Sequence, residues 1–146
     1  MVDLTKGIDE WVTWTPDYKQ RLADGTIFDN LKQKPKDQIR CKIKILNHNT
    51  RSQYLALIKT IENISQINEL TVEARKNIVE DNSKDWENLA SKGQPVVTGK
   101  QFYASQTETF VVLAETTIMA DVPLRPDKRE KDGQKAVDGD EKNSGG

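Results

Sequence analysis

The stretch Ile39-Arg40-Cys41-Lys42-Ile43-Lys44-Ile45 alternates apolar and basic residues without a break. Successive side chains of an extended strand point to opposite faces. Ile39, Cys41, Ile43 and Ile45 therefore share one face, and Arg40, Lys42 and Lys44 share the other. Such a strand has one dry face and one wet face, which fits an antiparallel sheet with a solvated side rather than a strand covered by helices on both faces.

Helical patterns follow it. Thr50 and Gln53 have capping-box spacing, and Tyr54, Leu57, Ile58, Ile61 and Ile64 then form an apolar stripe opposite Lys59, Glu62 and Asn63. A second helix is expected from about Asn68 to Val79, with Ile67, Leu70, Ala74 and Ile78 on its stripe and Glu73, Arg75 and Lys76 outside. Its end is open: Asp81-Asn82-Ser83 either breaks the helix or caps a new turn toward Trp86. Thr98 and Gln101 repeat the capping-box spacing. Phe102, Tyr103, Phe110, Leu113, Ala114, Thr117 and Ile118 then suggest one long amphipathic helix ending near Ala120 or Asp121. Thr107, Thr109, Thr116 and Thr117 lower its intrinsic propensity, so packing must supply the difference; the alternative is a strand over residues 110–113.

Residues 1–36 are less regular. Trp11, Val12 and Trp14 form a strand-like cluster that Thr15-Pro16-Asp17 ends. Asp24-Gly25, between Arg21-Leu22-Ala23 and Thr26-Ile27-Phe28, reads as a two-residue hairpin turn. Beyond residue 121 only Val122, Leu124, Ala136 and Val137 are apolar amid prolines, glycines and mixed charge, too little to offset the entropy of ordering the backbone. The expected architecture is α+β: one domain over residues 1–121, its first 36 residues irregular or β, with a small antiparallel sheet on about three helices and a disordered tail over 122–146.

Charge bounds the partners. The chain has 22 Lys and Arg against 23 Asp and Glu, a near-balance that argues against a whole-molecule grip on nucleic acid or an anionic membrane and leaves local patches open. The longest apolar run, Phe110-Val111-Val112-Leu113-Ala114, is far shorter than the roughly 20 residues of a membrane span. A single cysteine, Cys41, excludes an internal disulfide. With an N-terminus lacking signal-peptide character, this makes a reducing cytoplasm the expected compartment.

Reactive constellations are sparse. His48 is the only histidine and reads as a surface loop residue, while strand alternation buries Cys41. Cys/His metal spacings are missing, and Gly93 and Gly99 lack the lysine-serine signature of a phosphate loop. Glu80, Asp81, Asp85 and Glu87 offer carboxylates for a divalent cation, although acids at a helix end usually form a solvated face. The expectation is no catalytic, metal-binding or cofactor-binding residue and no enzyme. Lys32, Lys34, Lys36, Arg40, Lys42 and Lys44 make a basic stretch, suited to phosphate, to an acidic partner or to blunting a sheet edge. No aromatics interleave with these lysines in sequence, so a single-strand nucleic-acid platform is not expected.

Trp86 lies between Asp85 and Glu87, a setting in which the ring tucks over a core and its neighbours face water. Gly93 and Pro95 then make a turn, and Val96-Val97 an extended piece before the Thr98 cap. The phrase Asp85-Trp86-Glu87-Asn88-Leu89, followed by Gly93-Gln94-Pro95-Val96 and a capped helix, resembles the layout of tail assembly chaperones and related small tail proteins of tailed bacteriophages. There a Trp-containing phrase of this type separates two helical parts; Trp86, Asn88, Gly93 and Pro95 carry the likeness here. It covers residues 35–121 and the charged ending Asp140-Glu141-Lys142-Asn143-Ser144, whereas the first 35 residues, with Trp11 and Trp14, have no counterpart.

The resemblance implies a protein of the host cytoplasm that contacts tape measure and tail tube proteins without a cofactor. A structural virion component (neck, head-completion or decoration protein) is the alternative. A metal-dependent enzyme using the acids from Glu80 to Glu87 is a further one.

Overall fold

The computed structural model describes residues 1–59 and 64–120; for residues 58, 59 and 64–71 only the backbone is described. The alternating segment forms β4 (Arg40–Lys44), the middle of a three-stranded antiparallel sheet with β1 (Trp11–Trp14) and β5 (Ser83–Glu87) on either side. Ile39, Cys41, Ile43 and Ile45 are all buried, as their alternation requires, and Lys42 is exposed. The lysines do not blunt an edge, because β4 has a neighbour on both sides. Register with β1 pairs Trp14 with Cys41 and Val12 with Ile43, so Val12 and Trp14 join the core face while Trp11 and Thr13 face away.

Trp86 stands on the strand β5 rather than in a turn. Ser83 and Trp86 are both buried although three residues apart, a spacing that would place them on opposite faces of a regular strand. A β-bulge resolves this. The register with β4 shifts between Arg40 and Lys42, and Asp85 sits there at φ +55°. The extra residue re-aims Trp86 inward; aspartate is among the few non-glycine residues that enter the left-handed region readily.

The helices differ from the sequence pattern mainly at their ends. α1 (His48–Lys59) begins two residues before Thr50, and its cap is Asn47, whose Oδ1 accepts from the Thr50 amide at 2.7 Å. Tyr54 packs against the core, but Leu57 is 45% exposed rather than on a buried stripe. The side chains of Ile58, Ile61, Ile64, Ile67 and Leu70 lie outside the described residues. α2 (Ile64–Asn82) is longer than the expected span at both ends and buries Ala74 and Ile78. Arg75, expected outside, is half-buried and pairs with Glu115 at 2.8 Å.

Of the two readings of Asp81-Asn82-Ser83, the break holds: α2 ends at Asn82 and the chain passes straight into β5 at Ser83, with no new turn capped toward Trp86. The Asn82 amide donates to the Ile78 carbonyl at 2.9 Å and the Ser83 hydroxyl to the Val79 carbonyl at 2.7 Å, closing off orphan acceptors of the last turn.

The single long C-terminal helix is instead two, α3 (Gly99–Ser105) and α4 (Glu108–Ile118). The Thr98–Gln101 capping box is present as expected, with both reciprocal bonds at 3.0 Å. Thr107, placed in mid-helix by the sequence pattern, is a second N-cap that accepts from the Phe110 amide at 3.3 Å. The break serves the core. Residues eight apart on one helix are about 12 Å apart along its axis, yet the Phe102 and Phe110 rings meet edge-to-face at 4.9 Å. Residues 110–113 are helical, so the strand alternative falls.

Two hairpins complete the fold. β2 (Lys19–Arg21) and β3 (Ile27–Asp29) are joined by a longer loop than the two-residue turn assigned to Asp24-Gly25. Leu22 and Thr26 close it, the Gly25 amide donates to the Leu22 carbonyl at 2.9 Å, and only Gly25 has positive φ. Asp24 instead accepts from the Thr26 hydroxyl and amide, which hold its carboxyl below the usual range. The true two-residue turn is Lys92-Gly93, at φ +50° and +79°, linking β6 (Ala90–Ser91) to β7 (Gln94–Pro95).

The whole is α+β, helices packed on one face of a small antiparallel sheet. The core joins Cys41 and Ile43 of β4, Ile78 and Val79 of α2, Trp86 of β5, and Phe102, Phe110, Val111, Ala114 and Ile118 of α3 and α4. No helix among the described residues is long and apolar enough to cross a membrane. The tail over 122–146, with its charged ending, lies outside the described residues, as does Asp121.

Gly99 is the tightest joint in this packing. A Cβ there would lie 2.5 Å from the Ser83 carbonyl oxygen and 2.7 Å from that of Glu80, both main-chain atoms of the α2–β5 junction. Gly99→Ala is expected to destabilise the fold by about 1–3 kcal/mol through overpacking, read as a lower urea midpoint. A midpoint equal to that of the parent would show the junction to be pliable.

Candidate functional site

Trp86 is 3% exposed. Its ring stacks on Phe102 at 4.0 Å and 3°, and meets Phe110 and Trp14 edge-on at 5.7 and 6.3 Å. Asn88, at φ +60°, donates two amide hydrogen bonds of 2.8 Å, to the carbonyls of Lys36 and Gln38. It thereby fastens the segment that enters β4. Gly93 and Pro95 stand exposed on the β6–β7 hairpin, and Val96 and Val97 return along β5, the Trp86 amide donating to the Val97 carbonyl at 2.9 Å. The four residues of the likeness thus belong to one continuous unit with separate tasks: core ring, backbone staple and turn.

The carboxylates do not converge. Glu80 and Asp81 are on α2, Asp85 occupies the bulge, and Glu87 pairs with Arg40 at 2.9 Å. Among the described residues no three His, Cys, Asp or Glu side chains gather as a metal site. His48 is exposed, in the first turn of α1 rather than in a loop.

Cys41 is 1% exposed, and burial pushes its thiol well above the usual range, with the charges of Asp85 and Glu87 adding to the effect. Below about pH 8.5 folded and unfolded chains both carry the proton. Above it the unfolded chain releases the proton while the folded chain retains it. Stability is therefore lost with rising pH, by up to about 1.4 kcal/mol per unit, until the folded value is reached. Unfolding titrations across this alkaline range should show Cys41→Ala lacking that component of the slope. Identical slopes for parent and variant would contradict it.

The structure assembles what the sequence disperses on the outer face of the sheet. Across β1, β4 and β5, Trp11 lies opposite Lys44, Thr13 opposite Lys42, and Lys42 opposite Lys84. The Lys84 ammonium stands 4.2 Å from the Trp11 ring centroid. Since β1 and β5 are separated by two strand spacings, about 9.6 Å, the Lys84 side chain must reach across β4. An aromatic ring thus stands beside lysines with which it does not interleave in sequence.

Lys32, Lys34 and Lys36 do not join this patch; they are exposed in the turns at Asn30–Lys32 and Pro35–Asp37 and the link between them. Arg40 is spent on Glu87 and the Pro35 carbonyl. Sequence reading missed Trp11 and Lys84 as partners because they lie 73 positions apart. The available signal was the alternation of Trp11 and Thr13 against Val12 and Trp14. No family model matches this chain, and comparison with curated proteins and with solved structures finds no match.

Proposed function

We propose that this chain is a tail-assembly protein of a tailed bacteriophage, acting in the host cytoplasm by protein contacts with tape measure and tail tube subunits. The observation that supports the reading is the continuity of the unit from Trp86 to the Thr98 cap, in which the residues of the likeness bridge α2 and α3. A phrase that fastens two helical parts has a structural reason for its residue types: a ring for the core, an asparagine to staple a neighbouring segment, and a turn with its glycine. The exposed Leu55, Leu57 and Val72 on α1 and α2 supply apolar surface for a helical partner.

Co-expression with the tape measure protein of the same phage tests this. The chain should raise that protein's soluble fraction and be lost from mature particles. No effect on any tail protein would overturn the reading, and presence in purified virions at fixed copy number would favour a neck, head-completion or decoration protein instead.

A further inference from the structure

We propose that the open face of the β1-β4-β5 sheet binds single-stranded nucleic acid, with Trp11 as the stacking ring and Lys42, Lys44 and Lys84 as phosphate contacts. This stands independently of the tail-assembly reading. The three lysines of this face lack partners of opposite charge: among the described residues Lys19, Arg40 and Arg75 form ion pairs, and Lys42, Lys44 and Lys84 form none. Lys42 and Lys44 lie on alternate positions of one strand, about 6.8 Å apart, and Lys84 adds a third charge from β5 opposite Lys42. The half-buried Trp11 indole lies at the Lys44 end of this basic face.

An indole beside a line of unpaired lysines is the combination that holds single strands: any base can stack on the ring, and the charges track the backbone. In the bound state a base takes the position of the Lys84 ammonium over Trp11, freeing that cation for an adjacent phosphate. The major groove of a duplex admits a protruding helix or two-stranded ribbon, which the open face of a three-stranded sheet is not. A protein partner is less well matched, because interface cores are depleted of lysine and rich in apolar contacts, and among Trp11, Lys42, Lys44 and Lys84 only the indole is a large apolar group. Of the acids on β5, Glu87 pairs with Arg40 and Asp85 sits at the bulge; at the other edge Glu10 precedes Trp11, its carbonyl accepting from the Ile45 amide.

Fluorescence anisotropy of labelled oligothymidylate and oligouridylate with the full chain tests the proposal. Weak binding is expected, with a slope of log affinity against log salt of about −2 for three phosphate contacts on a single strand. Lys44→Gln should reduce the slope to about −1.4. Trp11→Thr should weaken binding about tenfold or more, while Trp11→Phe retains most of it. Circular dichroism checks that each variant is folded, and the exposed Lys42→Gln serves if a Trp11 variant is not.

Preference for the DNA or the RNA oligomer would identify the ligand within the proposed class. Absence of binding at low salt, binding indifferent to Lys42→Gln and Lys44→Gln, or equal binding of a polyglutamate peptide would overturn the proposal, the last in favour of an acidic protein partner.

Discussion

Trp86→Ala is expected to cost about 3–5 kcal/mol, the usual range for removing a large aromatic side chain from a core. Domains of this size are stable by about 5–15 kcal/mol, so the change removes a large share of the total. The ring contacts three different parts of the chain: Trp14 of β1, Phe102 of α3 and Phe110 of α4. Its deletion strips Phe102 of a parallel partner and leaves a void that three elements would have to collapse around.

Trp86→Phe separates two contributions. It keeps much of the stack but loses the indole N–H donated to the Ser83 hydroxyl at 3.4 Å, a long bond, so a cost closer to 1–2 kcal/mol is expected from lost volume and that weak bond. Urea unfolding followed by far-UV circular dichroism measures both. A loss below about 1 kcal/mol for the alanine variant would refute the central role given to this ring.

Asn30→Asp is expected to be comparably damaging, through hydrogen bonds rather than volume. Asn30 is fully buried and ends the β2–β3 hairpin segment. Its amide nitrogen donates to the carbonyls of Pro16 and Ile39, both at 2.9 Å, and its oxygen accepts from the Ile39 amide at 2.7 Å. One side chain thus ties the end of β1, the hairpin and the start of β4 together.

A carboxylate in its place loses both donors and faces two carbonyl oxygens in a dry site, for a loss on the order of 3–5 kcal/mol at neutral pH. The new carboxyl would have its folded pKa raised. Stability would therefore be recovered below the unfolded value of about 3.9, where the group is protonated in both states, and lost as pH rises. Asn30→Ala serves as the charge-free control: it should also be destabilised, but without that added dependence on acid pH. A titration in which the aspartate and alanine variants run parallel would refute the argument.

These two residues also mark the limits of what local patterns disclose. The Ile39 to Ile45 face is legible because period-two alternation has one geometric meaning, and the Thr98 cap because its reciprocal bonds are local. Trp86 was legible as a core ring, but its strand was not. The bulge at Asp85 puts Ser83 and Trp86 three apart on one face, a spacing that imitates a helix. Thr107 was misplaced in mid-helix because a threonine caps one helix or interrupts another according to whether distant rings need the chain to bend. Asn30 sits in a run of lysines and glutamines that reads as surface, and its burial depends on Pro16 and Ile39 arriving from either side. The basic face was half visible: Lys42 and Lys44 follow from alternation, whereas Trp11 and Lys84 reach them only through strand pairing.

The order β1-β4-β5 bears on how the molecule is made. Strand β4 can pair with β1 once residue 44 has emerged from the ribosome, but its other edge and the dry face of the sheet wait for β5, and the aromatic cluster waits for Phe102 and Phe110. Such long-range pairings slow folding and leave a nascent chain with an unsatisfied strand edge during synthesis. Emerging from the ribosome, the first half of this protein is a vulnerable intermediate, and the segment from Ser83 to Phe110 is its own intramolecular protector.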